Sequence, residues 1–404
     1  MTDNPPGTGP TTVSPGFHLL VKPTGSVCNL KCKYCFFLDK EKLYPGSKPR
    51  MPDRLLERYL KQLIEAHSVP EVTVAWQGGE PTLMGLDFFR RSIEYERKYT
   101  RPGMKILNTI QTNGTLINDE WAAFFKEHDF LVGLSLDGPQ ALHDVYRVDK
   151  GGAPTFDRVM MGLGHLQKHG VPWNALTTIN SANGGHPVEV YSFLRDDCRA
   201  EFIQFIPVVE RPNRDGVPYG GRVTRRSLTP AQFGSFMTGV FDEWVKCDVG
   251  NVFVQWFDAA LANWYGVPAG LCISNSTCGS APAMEFNGDV YSCDHFVEPR
   301  YMLGNITGKS LAELVYSNRQ SKFGRDKYDR LPDFCLQCDV LFACHGGCPK
   351  DRFTLTPDGQ PGLNYLCAGY KAFFKHVDGP MKTMAGILGR GGEAPEIMTM
   401  HKGP

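Results

Sequence analysis

The sequence predicts an α/β fold built on parallel strands and joined to a cysteine-rich domain. Two observations predict it. From about Phe17 to Val209, six short β-like runs alternate with amphipathic helical stretches. Alternation of this kind gives parallel strands with right-handed crossovers. From Leu271 to Cys367 the alternation stops and cysteines become dense. The pattern fits either an open barrel or a flat doubly wound sheet. In both, chemistry belongs at the C-terminal ends of the strands.

The chain has 404 residues, enough for two or three domains and a sizeable core. Lys+Arg and Asp+Glu are both 43, so the formal charge is zero. That argues against a sequence-independent nucleic-acid or anionic-membrane binder, which needs a basic surface. No apolar run approaches the ~20 residues of a spanning helix. The opening MTDNPPGTGPTTVSPG has no apolar core of a secretory signal, and residues 1–16 are expected to form a disordered lead-in. The expected location is cytoplasmic. There, thirteen cysteines read as metal or catalytic ligands rather than disulfides.

The elements follow in order. Strand Phe17–Val21 leads into CNLKCKYCF. Cys28, Cys32 and Cys35 are one thiolate short of closing an iron–sulfur cluster, which leaves one iron open to a small molecule. Zinc knuckles come as cysteine pairs completed by a second pair, which this triad fits poorly. Helix Asp53–Ala66 precedes strand Val72–Trp76, which runs out into Gln77-Gly78-Gly79-Glu80-Pro81. Paired glycines let backbone approach a ligand closely, here beside a carboxylate. Helix Leu86–Tyr99 precedes strand Met104–Gln111, which continues into Thr112-Asn113-Gly114 with Asn113 in a supporting role. Helix Asn118–Glu127 precedes strand Leu131–Leu136, which carries Ser135 and continues into Asp137-Gly138. Asn-Gly and Asp-Gly also serve turns. Arg147 follows in His143-Asp144-x-Tyr146-Arg147, and an arginine fork suits a carboxylate. Helix Thr155–His169, strand Trp173–Ile179, helix Pro187–Asp197 and strand Phe202–Pro207 complete the repeats. Glu210–Ser227 is Pro/Gly/Arg-rich and reads as a loop; helical pattern returns at Thr229–Lys246 and Val252–Tyr265. The expected domains are a strand–helix domain over 17–228, a helical linker over 229–270 and a cysteine-rich domain over 271–370. A C-terminal helix and a tail, loose from about Gly386, fill 371–404.

The cysteine-rich domain holds Cys272, Cys278, Cys293, Cys335, Cys338, Cys344, Cys348 and Cys367, enough for two four-cysteine sites. Such sites take iron–sulfur clusters or zinc. The run Cys335-x₂-Cys338-x₅-Cys344-x₃-Cys348-Pro349 is similar to a ferredoxin run, whose last cysteine serves the other cluster. By that analogy Cys348 joins Cys272, Cys278 and Cys293, while Cys335, Cys338 and Cys344 take Cys367. Cys198 and Cys247 are left over as ordinary buried thiols. His295 and His345 lie among the ligands without being needed by either site. Asp294, directly after Cys293, is a candidate general base.

The triad, with an aromatic after its third cysteine, resembles the signature of radical S-adenosylmethionine (SAM) enzymes. The eight-cysteine block resembles the SPASM auxiliary-cluster domain of peptide-modifying members. From about Phe17 to Tyr370 the layout, with WQGGEPTL and Cys293-Asp294-His295, resembles the anaerobic sulfatase-maturating enzymes. These convert a cysteine or serine of a sulfatase into Cα-formylglycine. The resemblance implies a partial (β/α)6 TIM-type barrel and three [4Fe–4S] clusters, with SAM on the Cys28/Cys32/Cys35 cluster. It implies SAM contacts from Gln77, Gly78, Gly79, Glu80 and Ser135, with Arg147 at the SAM carboxylate. A 5′-deoxyadenosyl radical would take hydrogen from Cβ of the target, and Asp294 would take its thiol or hydroxyl proton. The implied partners are an unfolded or nascent sulfatase polypeptide carrying Cys/Ser-x-Pro/Ala-x-Arg, and an electron donor such as flavodoxin or ferredoxin. No nucleic-acid or membrane partner is implied. Phe37 departs from the pattern, since members can carry tyrosine there, and a polar role is lost. Two other readings stay open. One is a peptide maturase forming a thioether or carbon–carbon crosslink, against which weighs the lack of room for an N-terminal peptide-binding domain. The other is a zinc-binding module without catalysis.

Overall fold

The computed structural model describes residues 16–401; residues 1–15, almost all of the expected lead-in, lie outside the described residues. Strands β1 (Leu20–Lys22), β2 (Glu71–Trp76), β3 (Lys105–Thr112), β4 (Leu131–Ser135), β5 (Trp173–Ile179) and β6 (Phe202–Pro207) lie side by side in that order, all parallel. Helices Asp53–Ala66, Leu86–Tyr99, Asp119–Glu127, Phe156–Lys168 and Pro187–Ser192 make the crossovers. Each turns an apolar stripe inward. In the first, Leu56, Tyr59, Leu60 and Leu63 recur at helical spacing and are buried. Trp76 of β2 packs edge-on against Tyr59, Phe88 and Phe89 beneath those helices. This is the partial (β/α)6 barrel.

Three stretches differ from expectation. The first strand is expected over Phe17–Val21, but its ladder starts at Leu20. The residues before it bond instead to irregular backbone, His18 N–H to Ser280 O at 2.8 Å, while Phe17 packs on His67. The Glu210–Ser227 loop carries a small hairpin, β7 (Asn213–Arg214) with β8 (Val217–Pro218). Buried Lys40 tethers it by donating to Gly216 O at 2.8 Å. The stretch expected as a helical linker is structural core. Thr229 and Gln232 form a capping box on helix Pro230–Cys247. Strand β9 (Phe253–Val254) then extends the sheet beyond β6, and helix Gln255–Tyr265 follows.

The cysteine-rich domain joins the same sheet. β10 (Ala283–Glu285) pairs in parallel with β1, setting Lys22 opposite Glu285. β11 (Asp289–Tyr291) and β12 (Met302–Asn305) continue antiparallel, giving ten strands. Helix Cys367–Gly389 packs on helices Pro230–Cys247 and Gln255–Tyr265. The looseness expected beyond Gly386 is corrected here. After Gly389 the chain turns into short helices Ala394–Glu396 and Ile397–His401, and Ile397 is buried in the core cluster around Pro230–Cys247. Among the described residues, no helix is long and apolar enough to cross a membrane.

Candidate active site

The triad loop is strapped across the C-terminal ends of β2 and β3. Gly79 N–H donates to Gly25 O at 2.8 Å, and Glu80 N–H to Val27 O at 2.9 Å. A Cβ on Gly79 would lie 2.1 Å from Val27 O, so only glycine permits this approach. Gly78 adopts φ +117°, also glycine territory. Asn113 supports the loop, donating to Asn29 Oδ1 at 2.8 Å with the same Nδ2 3.6 Å from Cys28 Sγ. Burial, and repulsion from neighbouring thiolates and Glu80, push the Cys28 thiol up to about 12. Burial pushes Cys32 up to about 11. Thiolates kept there need a strong positive partner, which a metal cluster supplies by displacing their protons.

Glu80, expected among the SAM contacts, has its side chain engaged within the protein. Its carboxylate is fully buried and consumed by the protein. Oε1 accepts from Thr82 N–H at 3.1 Å, Thr82 Oγ1 at 2.7 Å and Thr112 Oγ1 at 2.7 Å, and Oε2 accepts from Asn113 N–H at 2.8 Å. Glu80 clamps β3 to the glycine turn, leaving the backbone of Gly78 and Gly79, with Gln77 before them, at the barrel mouth. Ser135 closes β4 and is buried at its end.

Arg147 is a buried group rather than a surface arginine. Its Nε lies 3.0 Å from Asp137 Oδ1, and its Nη2 donates to Thr178 Oγ1 at 3.2 Å. Tyr34, between Cys32 and Cys35, donates to Asp137 Oδ2 and lies under the guanidinium. Burial opposes the charge on Arg147, but Asp137 and Tyr34 more than offset it and hold the guanidinium firmly protonated. Asp137 thus links the triad loop to β4 and to Arg147.

The remaining cysteines gather as two groups. Cys335, Cys338, Cys344 and Cys367 line one cavity with Phe334, Val340 and Leu341. Cys272, Cys278, Cys293 and Cys348 form the other, close enough to repel one another as thiolates. Burial above all pushes Cys278 up to about 11 and Cys348 up to about 12. All are free thiols, and among the described residues no three such donors converge on a single metal ion. Lys327 answers the second group: buried, it donates to Cys272 O at 2.7 Å and Ile273 O at 3.0 Å. Burial lowers its ammonium to about 8, with the thiolates pulling upward. Cys198 is buried, as expected, but Cys247 is exposed.

Asp294 comes from the cysteine-rich domain yet ends at the barrel. Its Oδ1 pairs with Lys22 Nζ at the end of β1. Glu285 Oε1 lies 3.9 Å from the same ammonium, and burial pushes the Glu285 carboxyl up to about 7. The Phe37 ring sits 3.5 Å from Nζ. Where a tyrosine would offer a hydroxyl, Phe37 offers a ring face to a cation. Phe36 reaches His295, ring centroids 5.5 Å apart. Lys22, Tyr34, Glu285 and Lys327 escape the sequence reading, which takes Asp137 only as a polar strand-end residue of an Asp-Gly pair. The available signals are two: a lysine closing the apolar run LLVK and an aspartate closing GLSLD.

Comparison with known proteins places the fold in a family. Residues 23–194 match the model of the Radical SAM superfamily, and residues 278–339 that of an iron–sulfur cluster-binding domain, SPASM. Fold and site together define a radical SAM enzyme with an auxiliary-cluster domain. A serine-type anaerobic sulfatase-maturating enzyme from Bacteroides thetaiotaomicron is 49% identical over 371 residues, spanning 89% of each chain. A cysteine-type enzyme from Clostridium novyi is 35% identical, covering 88% of this chain and 94% of the relative. The solved structure of native anSMEcpe with bound AdoMet and Kp18Cys peptide superposes with a TM-score of 0.83 at 34% identity, covering 92% of this chain and 99% of that one. The chain belongs to the anaerobic sulfatase-maturating enzyme family.

Proposed function

We propose that Cys28, Cys32 and Cys35 hold the SAM-binding [4Fe–4S] cluster, that the two four-cysteine groups hold two auxiliary clusters, and that Asp294 is the general base. The enzyme oxidises a cysteine or serine of a sulfatase polypeptide to Cα-formylglycine. When bound and reduced, SAM supplies a 5′-deoxyadenosyl radical able to take hydrogen from the target Cβ. The protein's own residues bind, orient and deprotonate. The Gln77-Gly78-Gly79 backbone and Ser135 line the SAM pocket. Arg147, held by Asp137, faces the SAM carboxylate. Asp294 accepts the proton of the target thiol or hydroxyl at the barrel mouth. The remaining electron would leave to an auxiliary cluster, so that serine gives the aldehyde directly and cysteine a thioaldehyde that water hydrolyses with release of sulfide. The target enters as an unfolded or nascent segment with Cys/Ser-x-Pro/Ala-x-Arg, since a folded sulfatase core would not reach this mouth. A donor such as flavodoxin or ferredoxin supplies electrons. The cluster thiols need a reducing compartment, which supports a cytoplasmic location, and zero net charge supports the lack of a nucleic-acid or membrane partner.

One observation carries the reading. The Asp294 carboxylate, from the auxiliary domain, meets Lys22 under Phe37, two residues past Cys35. A base is therefore set beside the triad loop. The test is incubation of the anaerobically reconstituted protein with SAM, a reductant and short cysteine or serine sulfatase peptides. Hydrazide-trappable aldehyde is expected from at least one of them. A loss of two hydrogens with no trappable aldehyde would mean crosslinking instead. Zinc without sulfide in anaerobically purified protein would remove the enzyme reading.

A further inference from the structure

Lys22 is fully buried, and a buried ammonium is costly unless paired. Its partners come from three sides. Asp294 Oδ1 closes on Nζ as an ion pair. Glu285 Oε1, on the register partner across β1–β10, lies at 3.9 Å. The Phe37 ring covers the third side at 3.5 Å. Among the described residues, Lys22 makes the only ion pair to the Asp294 carboxylate, and no side-chain hydrogen bond joins it. No side chain of the auxiliary domain pairs with that carboxylate among the described residues. It is aimed by a residue of the barrel.

We propose that Lys22 is the positioning residue for the base: it holds the Asp294 carboxylate at the seam between barrel and auxiliary domain, and Phe37 seals the pair from water. This rests on the functional reading above and adds to it. A base misplaced by even an ångström loses much of its rate, so an anchor from the barrel matters when the base belongs to another domain. The chain's departure at Phe37 then has a purpose. A ring without a hydroxyl lies flat on the ammonium and adds no acceptor to draw it away from Asp294.

The competing account is that Lys22 merely balances the buried charge of Glu285. Lys22→Met combined with Glu285→Gln separates the two, because it removes one positive and one negative charge together. Wild type, Lys22→Met and the double variant are reconstituted anaerobically. Each is assayed for iron and sulfide, for the change in the reduced-cluster EPR signal on adding SAM, and for deuterium transfer from Cβ-labelled peptide into 5′-deoxyadenosine. Aldehyde formed per 5′-deoxyadenosine is the deciding ratio. The double variant is expected to load its clusters, respond to SAM and abstract deuterium, while that ratio falls at least about tenfold. A wild-type ratio in the double variant overturns the proposal and leaves Lys22 a charge balancer. If the double variant does not load, Phe37→Leu decides: it keeps both charges but opens their third side. A fall in the ratio of about threefold is expected from it, and an unchanged ratio overturns the proposal. Wild type that yields no aldehyde from either peptide overturns the functional reading instead, whatever Lys22 does.

Discussion

At the end of β1 and beyond the end of β4, a buried cation meets a carboxylate: Lys22 with the half-buried Asp294, and Arg147 with the buried Asp137. The two pairs differ in what they leave free. Asp137 is spent on Arg147, Tyr34 and the Thr178 N–H at 3.0 Å, so it orients others. Asp294, by contrast, has one ion-pair partner among the described residues, Lys22, reached through Oδ1. Asp294→Asn keeps the size and removes the proposed base. SAM cleavage is expected to persist while aldehyde formation drops by about a hundredfold or more. Quantifying 5′-deoxyadenosine and trapped aldehyde in one reaction checks this. An unchanged aldehyde yield would reduce Asp294 to scaffolding.

Elements carry two further consequences. The glycine turn after β2 and the triad loop touch backbone to backbone, so Gly79→Ala forces them apart. It is expected to cost about 1–3 kcal/mol, as overpacking does, and to lower SAM cleavage. Thermal unfolding and the SAM-dependent EPR change read the two effects; a variant with both unchanged would mean the loop yields freely. Behind the barrel, Glu96 of helix Leu86–Tyr99 is buried against β3, bonded to Ser92 and Asn108. Burial raises its carboxyl from 4.5 to about 7. The folded state thus keeps a proton that the unfolded state has lost, and stability drains away as pH rises from the unfolded value toward 7. The penalty above that is about 3 kcal/mol at 1.36 per unit. Glu96→Gln is expected to match wild type at about pH 4 and gain on it until about pH 7. Urea midpoints across that range test it, and parallel curves would refute it. Glu96 is also a lesson in legibility. Helix Leu86–Tyr99 appears in the sequence with its observed bounds because period carries it, yet nothing nearby marks Glu96 as buried. Strands β9 and β10 span two and three residues, too short for alternation to register. Ile397 holds down the tail with Ala394 and Met398 beside it, a stretch too short for its period to register. The cysteines were legible because thiols at such spacing have few other uses. Lys22 was not, because its partners lie far along the chain at Glu285 and Asp294. Glu80 was legible as a carboxylate beside glycines but not as a clamp, since its donors come from β3.

At the scale of the molecule, barrel and auxiliary domain are one body. β10 pairs with β1, and helix Cys367–Gly389 lies in the same core cluster as helices Pro230–Cys247 and Gln255–Tyr265. That C-terminal helix buries Tyr370, Phe373, Phe374, Val377, Met381, Met384 and Ile387. At about 1.5–3 kcal/mol for each large apolar side chain, its removal forfeits on the order of 10–20 kcal/mol, against a whole-domain stability of about 5–15. Even half of that loss would leave little to hold the barrel. A chain ended near residue 270 would in addition expose β1 as an open edge and leave Lys22 buried or flooded without Glu285 and Asp294. The barrel is therefore not expected to survive alone, although it holds the triad and most of the residues proposed to bind SAM. Expressed without the auxiliary domain, it is expected to aggregate or to lack a cooperative unfolding transition, and to take up little iron at the triad. Anaerobic reconstitution followed by iron and sulfide analysis, with circular dichroism on heating, measures both. A truncated barrel that melts cooperatively and binds one full cluster would show that the shared sheet joins two independent domains.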